Sequence, residues 1–147
     1  MTTLQDAVAL AQADRGLAVV STLRADQTIQ ASLINAGIVA HPATAEPVLA
    51  FVTYGPVKLT NLRARPQIAL TFRSGWQWAT VEGRAELTGP DDPQSFLSDP
   101  DDLRLLLRAA FTACGGTHDD WAEYDRTMVE QRRTVVLVAP TRVYSNG

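Results

Sequence analysis

Apolar positions change period several times along the chain, and each change marks an element. From Thr3 to Arg15 they fall at Leu4, Ala7, Val8 and Ala11, the spacing of one helix face. Thr3 stands where an N-cap belongs, with Asp6 three residues on, and Gly16 is a natural stop. Leu17 to Arg24 (LAVVSTLR) and Thr28 to Ala40 (TIQASLINAGIVA) carry strand residues across the short polar link Ala25-Asp26-Gln27, which predicts a hairpin. Gly37 inside the second strand predicts a bulge or a close backbone approach. His41 to Pro47 reads as a loop, and Val48 to Thr53 as the third strand.

The stretch Phe51 to Arg73 (FVTYGPVKLTNLRARPQIALTFR) is the most informative. Gly55-Pro56 ends a strand. Val57 to Arg65 then makes two helical turns, with Leu59 and Leu62 on one face, until Pro66 stops them. Gln67 to Arg73 alternates again as a fourth strand, with Ile68, Leu70 and Phe72 on one side. Lys58, the one lysine among thirteen basic residues, therefore sits at a helix N-terminus beside a sheet. Backbone N–H groups and an ammonium converge there, an arrangement that suits an anion such as phosphate. Taken alone, Lys58 reads first as a solvated surface lysine and only second as an anion site.

Trp76 to Leu87 (WQWATVEGRAEL) predicts a fifth strand long enough to bend at Gly83. Gly89 to Pro100 is an acidic loop. Asp101 to Cys114 is a helix with Leu103, Leu106, Leu107 and Ala110 on one face, ended by Gly115-Gly116. Thr117 to Gln131 is another, with Thr117 as its cap and Trp121, Tyr124 and Met128 as its apolar face. Thr134 to Ser145 (TVVLVAPTRVYS) is a sixth strand, broken at Pro140. Strands do not alternate regularly with long helices, which argues against a doubly wound sheet. The order predicts one mainly β domain over residues 1–147, a small antiparallel barrel with helices at its ends and edge.

Composition narrows the partners. The net charge is -3, with no basic tract, so the chain lacks the positive face that nucleic acid requires. No apolar run approaches the ~20 residues of a membrane span. The single Cys114 rules out an intramolecular disulfide, and with His41 and His118 it makes a poor metal set. No cationic region followed by an apolar core opens the chain, so the expected compartment is the cytoplasm. G-x-S-x-G, P-loop and G-x-G-x-x-G motifs are absent. Cys114 at a helix C-terminus reads as packing, Glu82 as a paired or exposed carboxylate, and His118-Asp119 as part of a helix cap. The acids Asp91-Asp92 and Asp101-Asp102 read as turn formers and helix-dipole acids. These observations describe a binding architecture; any hard chemistry would come from a cofactor.

Phe51, Thr53, Lys58, Asn61-Leu62 and Pro66 resemble the central segment of the pyridoxamine-phosphate-oxidase-like, FMN-binding split β-barrel proteins. The likeness extends over nearly the whole chain. Asp120, Trp121, Tyr124 and Met128, followed by Val143-Tyr144, are similar to the actinobacterial branch that binds the deazaflavin coenzyme F420. The resemblance implies a mainly β, six-stranded antiparallel split β-barrel with flanking helices, a homodimer with cofactor sites at its interface. It implies that Lys58 contacts the cofactor phosphate and that Ser32, Leu33, Ile34 and Asn35 line the ring. Thr53, Thr60 and Asn61 would lie near the phosphate or ribityl chain, and Trp76, Trp78 and Ala79 would flank the groove. Pro56 departs from the pattern, since relatives often carry an arginine two residues before the lysine; Arg63 or Arg65 could compensate. The implied activity is hydride transfer from reduced F420 to an unsaturated or conjugated small organic substrate. The alternatives are an FMN-dependent oxidase of the same superfamily and a non-catalytic F420 or flavin carrier. No catalytic residue and no metal ligand is indicated.

Overall fold

Six strands hydrogen-bond in the order β1-β2-β3-β6-β5-β4, and β4 pairs back onto β1 to close the ring, every pair antiparallel. The strands are β1 (Leu17–Leu23), β2 (Ile29–Ala40), β3 (Pro47–Thr53), β4 (Gln67–Ser74), β5 (Gln77–Thr88) and β6 (Thr134–Ser145). The helices are α1 (Leu4–Leu10), α2 (Pro56–Ala64), α3 (Pro100–Ala113) and α4 (Trp121–Glu130). The computed structural model describes all residues, 1–147.

Two apolar clusters account for the packing. The first fills the barrel: Val20, Ile34, Phe51, Leu70, Phe72, Val81 and Val136 face inward, as the two-residue period of their strands requires. Leu4, Ala7 and Ala11 close one end, where Thr2 Oγ1 and Ser145 Oγ lie 2.6 Å apart. Leu59 and Leu62 of α2 close the other. The second cluster lies outside the barrel wall. Val48, Ala50, Val135 and Leu137 point outward from β3 and β6, and Leu106, Leu107, Ala110 and Tyr124 of α3 and α4 cover them. Buried on both faces, these two strands read as continuous apolar runs rather than alternating ones.

Several local expectations need adjustment. The opening helix is shorter than Thr3 to Arg15: after Leu10 the chain tightens into a 3-10 turn (Gln12–Asp14), and Arg15 is left-handed at φ 57°. The Thr3–Asp6 capping box is present, with Asp6 N–H donating to Thr3 Oγ1 at 3.1 Å. β6 is not broken at Pro140; it continues to Ser145, because the pairing shifts by one residue between Glu82 and Gly83 and leaves Thr141 over. Gly83 thus marks the irregularity in β5. Gly37 makes no bulge, since β2 keeps its register there. It is a close approach: a Cβ would lie 2.5 Å from the Ala113 carbonyl at the end of α3. Asp120, not Thr117, caps α4, its side chain accepting from Glu123 N–H, and α3 is capped by Asp99. Asp120 displaces Thr117 because His118 Nδ1 accepts from Asp120 N–H, holding the preceding residues outside the helix.

Candidate functional site

β2 and β3 pair only from Ala36–Phe51 to Ala40–Pro47. Beyond that point β2 continues back to Ile29 along β1 alone, while β3 runs on to Thr53 along β6 alone. The two strands therefore part and leave a cleft. One lip is Ser32 to Asn35; the other is Val52 to Gly55 and the start of α2. Ala36 N–H donates to Gly16 C=O at 2.9 Å, toward the β1 side. Antiparallel alternation then turns the backbone N–H and C=O of Leu33 and Asn35 away from β1, into the cleft.

Lys58 is the third residue of α2 and reaches across this opening, its Nζ donating to Ser32 Oγ at 3.1 Å. Its ammonium has no carboxylate partner. Thr53 Oγ1 accepts from Gly55 N–H at 3.2 Å, which shapes the turn into the helix. A Cβ on Gly55 would lie 3.0 Å from Lys58 Nζ, so glycine there leaves the ammonium its place. No side chain caps α2, and Pro56 contributes no N–H. The N–H groups of Val57 and Lys58 are left for a ligand or solvent. An unpaired ammonium, two helix-end donors and two hydroxyls in one opening form a donor set that fits a phosphate ester.

The other residues singled out from the sequence are placed as follows. Leu33 is exposed on the lip, whereas Ile34 points into the barrel core. Asn35 Nδ2 donates to the Arg15 carbonyl at 3.1 Å, tying the lip to the end of the opening helix. Thr60, two positions after Lys58, lies on an exposed and nearly opposite face of α2. Asn61 is buried, donating to Thr22 Oγ1 at 3.0 Å; Thr22 in turn donates to Gln30. Its amide pins α2 to the barrel end, so Asn61 supports Lys58 by position. Ala79 is fully buried in the core. Trp78 is on β5, edge-on to Tyr144, but Trp76 lies in the β4–β5 turn and is 94% exposed, so the two do not share a strand face. β4 and β1 stand between them and β2, so the tryptophans do not flank this cleft within one chain.

The remaining polar groups are spent elsewhere. Cys114 donates to the Phe111 carbonyl, and burial pushes its thiol pKa up, the opposite of an activated nucleophile. Glu82 accepts from Tyr144 O–H at 2.7 Å, which raises the tyrosine pKa. Arg63 is committed to a two-pronged pair with Asp92, whereas Arg65 spends only its Nε, on the Leu23 carbonyl. No three His, Cys, Asp or Glu side chains converge.

A barrel with a phosphate-suited opening where two strands part is a cofactor-binding fold, and comparison places it. The chain matches the family described as Pyridoxamine 5'-phosphate oxidase over residues 4–147, and it belongs to that family. Among solved structures it is similar to the conserved hypothetical protein Rv2991 from Mycobacterium tuberculosis, with TM-score 0.68, 15% identity, and coverage of 99% of this chain and 84% of that one. It is similar to an F420 reductase at TM-score 0.54 and 18% identity, covering 87% and 88%. A third likeness is to a FAD-binding protein from Mesorhizobium loti, TM-score 0.58 and 13% identity, covering 97% and 93%. At these identities the likeness is one of fold. No helix is long and apolar enough to cross a membrane.

The lining of a second cavity, around Arg15 and Arg133, was missed from the sequence. Nothing in the pattern distinguishes these two from the other ten arginines. A cation directly following a helix whose apolar face is aromatic was the one available hint.

Proposed function

We propose that this chain binds coenzyme F420 in the β2–β3 cleft and reduces an unsaturated or conjugated small organic substrate. The observation that carries this reading is the cleft itself, which joins an anion site at Lys58 to a free strand edge at Leu33 and Asn35. Lys58, with the N–H groups of Val57 and Lys58 and the hydroxyls of Ser32 and Thr53, would hold the phosphate. The backbone of Leu33 and Asn35 would meet the polar edge of a flat heterocycle, and the Leu33 side chain offers apolar surface. When bound, a reduced deazaflavin supplies a hydride. The chain's own contribution is to fix the ring against the lip, to align the substrate and to exclude water. The side chains on the two lips include no carboxylate or imidazole, and we assign no catalytic residue.

Homodimerisation is part of the proposal. Leu33, Val19, Thr71 and Thr80 stand side by side in register across four strands. Leu33 is 62%, Val19 42%, Leu17 41% and Trp76 94% exposed, apolar surface, with Arg73 beside Trp78 at its edge, that a second copy would cover. Such a partner would bring its Trp76 and Trp78 toward this chain's cleft, where the same-chain tryptophans do not reach. Sedimentation tests this: a Val19→Glu, Trp76→Glu double variant should be a folded monomer if the wild type is a dimer, and a monomeric wild type refutes it.

FMN is the second reading, since the segment around Lys58 resembles FMN-binding split barrels and the same donor set fits the FMN phosphate. Side-by-side fluorescence titrations with F420 and FMN decide. Micromolar or tighter binding of F420 with weak FMN binding supports the proposal; the reverse makes this an FMN protein; binding of neither refutes a cofactor role for the cleft. Turnover of a conjugated acceptor with reduced F420 then separates an enzyme from a carrier.

A further inference from the structure

Asn35 and Val52, one from each lip, also line a cavity of about 300 Å³ between the barrel wall and α3–α4. Phe111, Tyr124 and Met128 form its apolar walls, and Arg15 and Arg133 are its cations. No carboxylate lines it, and neither arginine is ion-paired. Elsewhere Arg63, Arg108 and Arg132 pair with Asp92, Asp125 and Asp91; here two arginines line one cavity without an acid. Arg133 is held for use: its Nε donates to Gln131 Oε1 at 2.8 Å, and its guanidinium stacks on the Tyr54 ring, 3.8 Å from the centroid. Stacking leaves the in-plane N–H edge available for a planar anion. Burial lowers the Arg133 pKa, the mark of a desolvated cation that lacks a counterion. Other polar side chains there are committed. Tyr124 O–H donates to the Leu107 carbonyl at 2.9 Å, Cys114 to that of Phe111, and Asn35 to that of Arg15.

We propose that this cavity binds a small organic carboxylate on a flat apolar body, its carboxylate between Arg133 and Arg15, its body between Phe111, Tyr124 and Met128. We further infer that such an acid is the substrate, because the cavity opens beside the lip that would carry the cofactor ring; this second step rests on the cofactor reading of the cleft.

The probes are cinnamate and its neutral amide, cinnamamide, titrated calorimetrically into the full-length protein, first without cofactor and then with saturating F420. Cinnamate should bind about tenfold or more tighter than the amide, the contrast of a charge-assisted bond. Arg133→Gln and Arg15→Gln should each cut that preference several-fold. Arg133→Lys should keep part of it in a protein of unchanged fold, and Lys58→Ala should leave it intact. Equal affinity for acid and amide, no binding of either, or a preference that survives both glutamine variants overturns the site. So does a preference lost with Lys58→Ala, which would put the acid in the phosphate site instead. Displacement of cinnamate by F420 overturns the substrate assignment alone. The cofactor-free titrations stand even if neither F420 nor FMN binds, so the two readings fail separately.

Discussion

Replacing Lys58 by alanine separates the anion site from the fold. In the free protein the Lys58 ammonium has one partner, Ser32 Oγ at 3.1 Å, and the side chain is half-buried. Losing that partly solvated bond costs about 1 kcal/mol or less, a shift of roughly 2–4 °C in Tm for a chain of this size. In the complex the same ammonium would face a phosphate. A hydrogen bond to a charged group contributes about 1.5–3 kcal/mol, so the dissociation constant should rise about 10- to 150-fold. The effect on binding thus exceeds the effect on folding, because the charge is unpaired until ligand arrives. The assay is a fluorescence titration of wild type and variant with F420 and FMN, paired with a thermal melt. Salt should narrow the difference, since the cleft is open to solvent. An unchanged dissociation constant in a folded Lys58→Ala protein would refute the phosphate assignment.

Three further perturbations test how the fold supports the site. Asn61→Ala should destabilise by about 1–3 kcal/mol in urea unfolding, because it removes the bond that the buried Thr22 hydroxyl accepts, leaving that hydroxyl only its bond to Gln30; a change within ~0.5 kcal/mol would mean that the α2 tether is not structural. Gly37→Val should cost about 1–3 kcal/mol or more, since even a Cβ meets the Ala113 carbonyl at 2.5 Å, and a neutral result would show that α3 shifts freely. Burial pushes the Tyr124 pKa up to about 12 from an ordinary value of 10. Its folded-state pKa is raised, so its contribution is full below pH 10 and is lost as pH climbs toward about 12. Tyr124→Phe should therefore lose about 1 kcal/mol at neutral pH, through the bond to Leu107, and show a shallower stability decline between pH 10 and 12; an identical alkaline profile would remove Tyr124 as its source.

Strand and helix identities were legible along the chain because they depend on neighbours. Thr3 and Asp6 cap α1, Pro66 ends α2, and the alternation of Ile68, Leu70 and Phe72 marks the inner face of β4. The motif around Lys58 was legible for the same reason, since one turn carries the strand end, the helix start and the ammonium. The family that those residues resemble is the one to which the chain belongs. Local pattern misled where a distant partner intervened. Pro140 looked like a strand break, but β5 absorbs the irregularity through its register shift opposite Thr141. The Asn61 amide bonds to Thr22, a partner distant in sequence that no local pattern records. Trp76 and Trp78 looked like one face until the turn at Gly75 separated them.

What the tertiary structure alone decided is the shape of the openings. A cleft exists because β2 pairs with β1 over a longer stretch than with β3, and pairing length is a property of two segments that no single segment records. The second cavity depends on Arg15, Asn35, Phe111 and Arg133, brought together only when α3 and α4 pack on the outer wall. Whether an arginine is paired is likewise a fact of space: Arg132 finds Asp91 and Arg133 finds no acid, though they are adjacent in sequence. Local order follows from short-range sterics and periodicity, whereas a site is a set of distances between chain-distant atoms, set by how the elements close around one another.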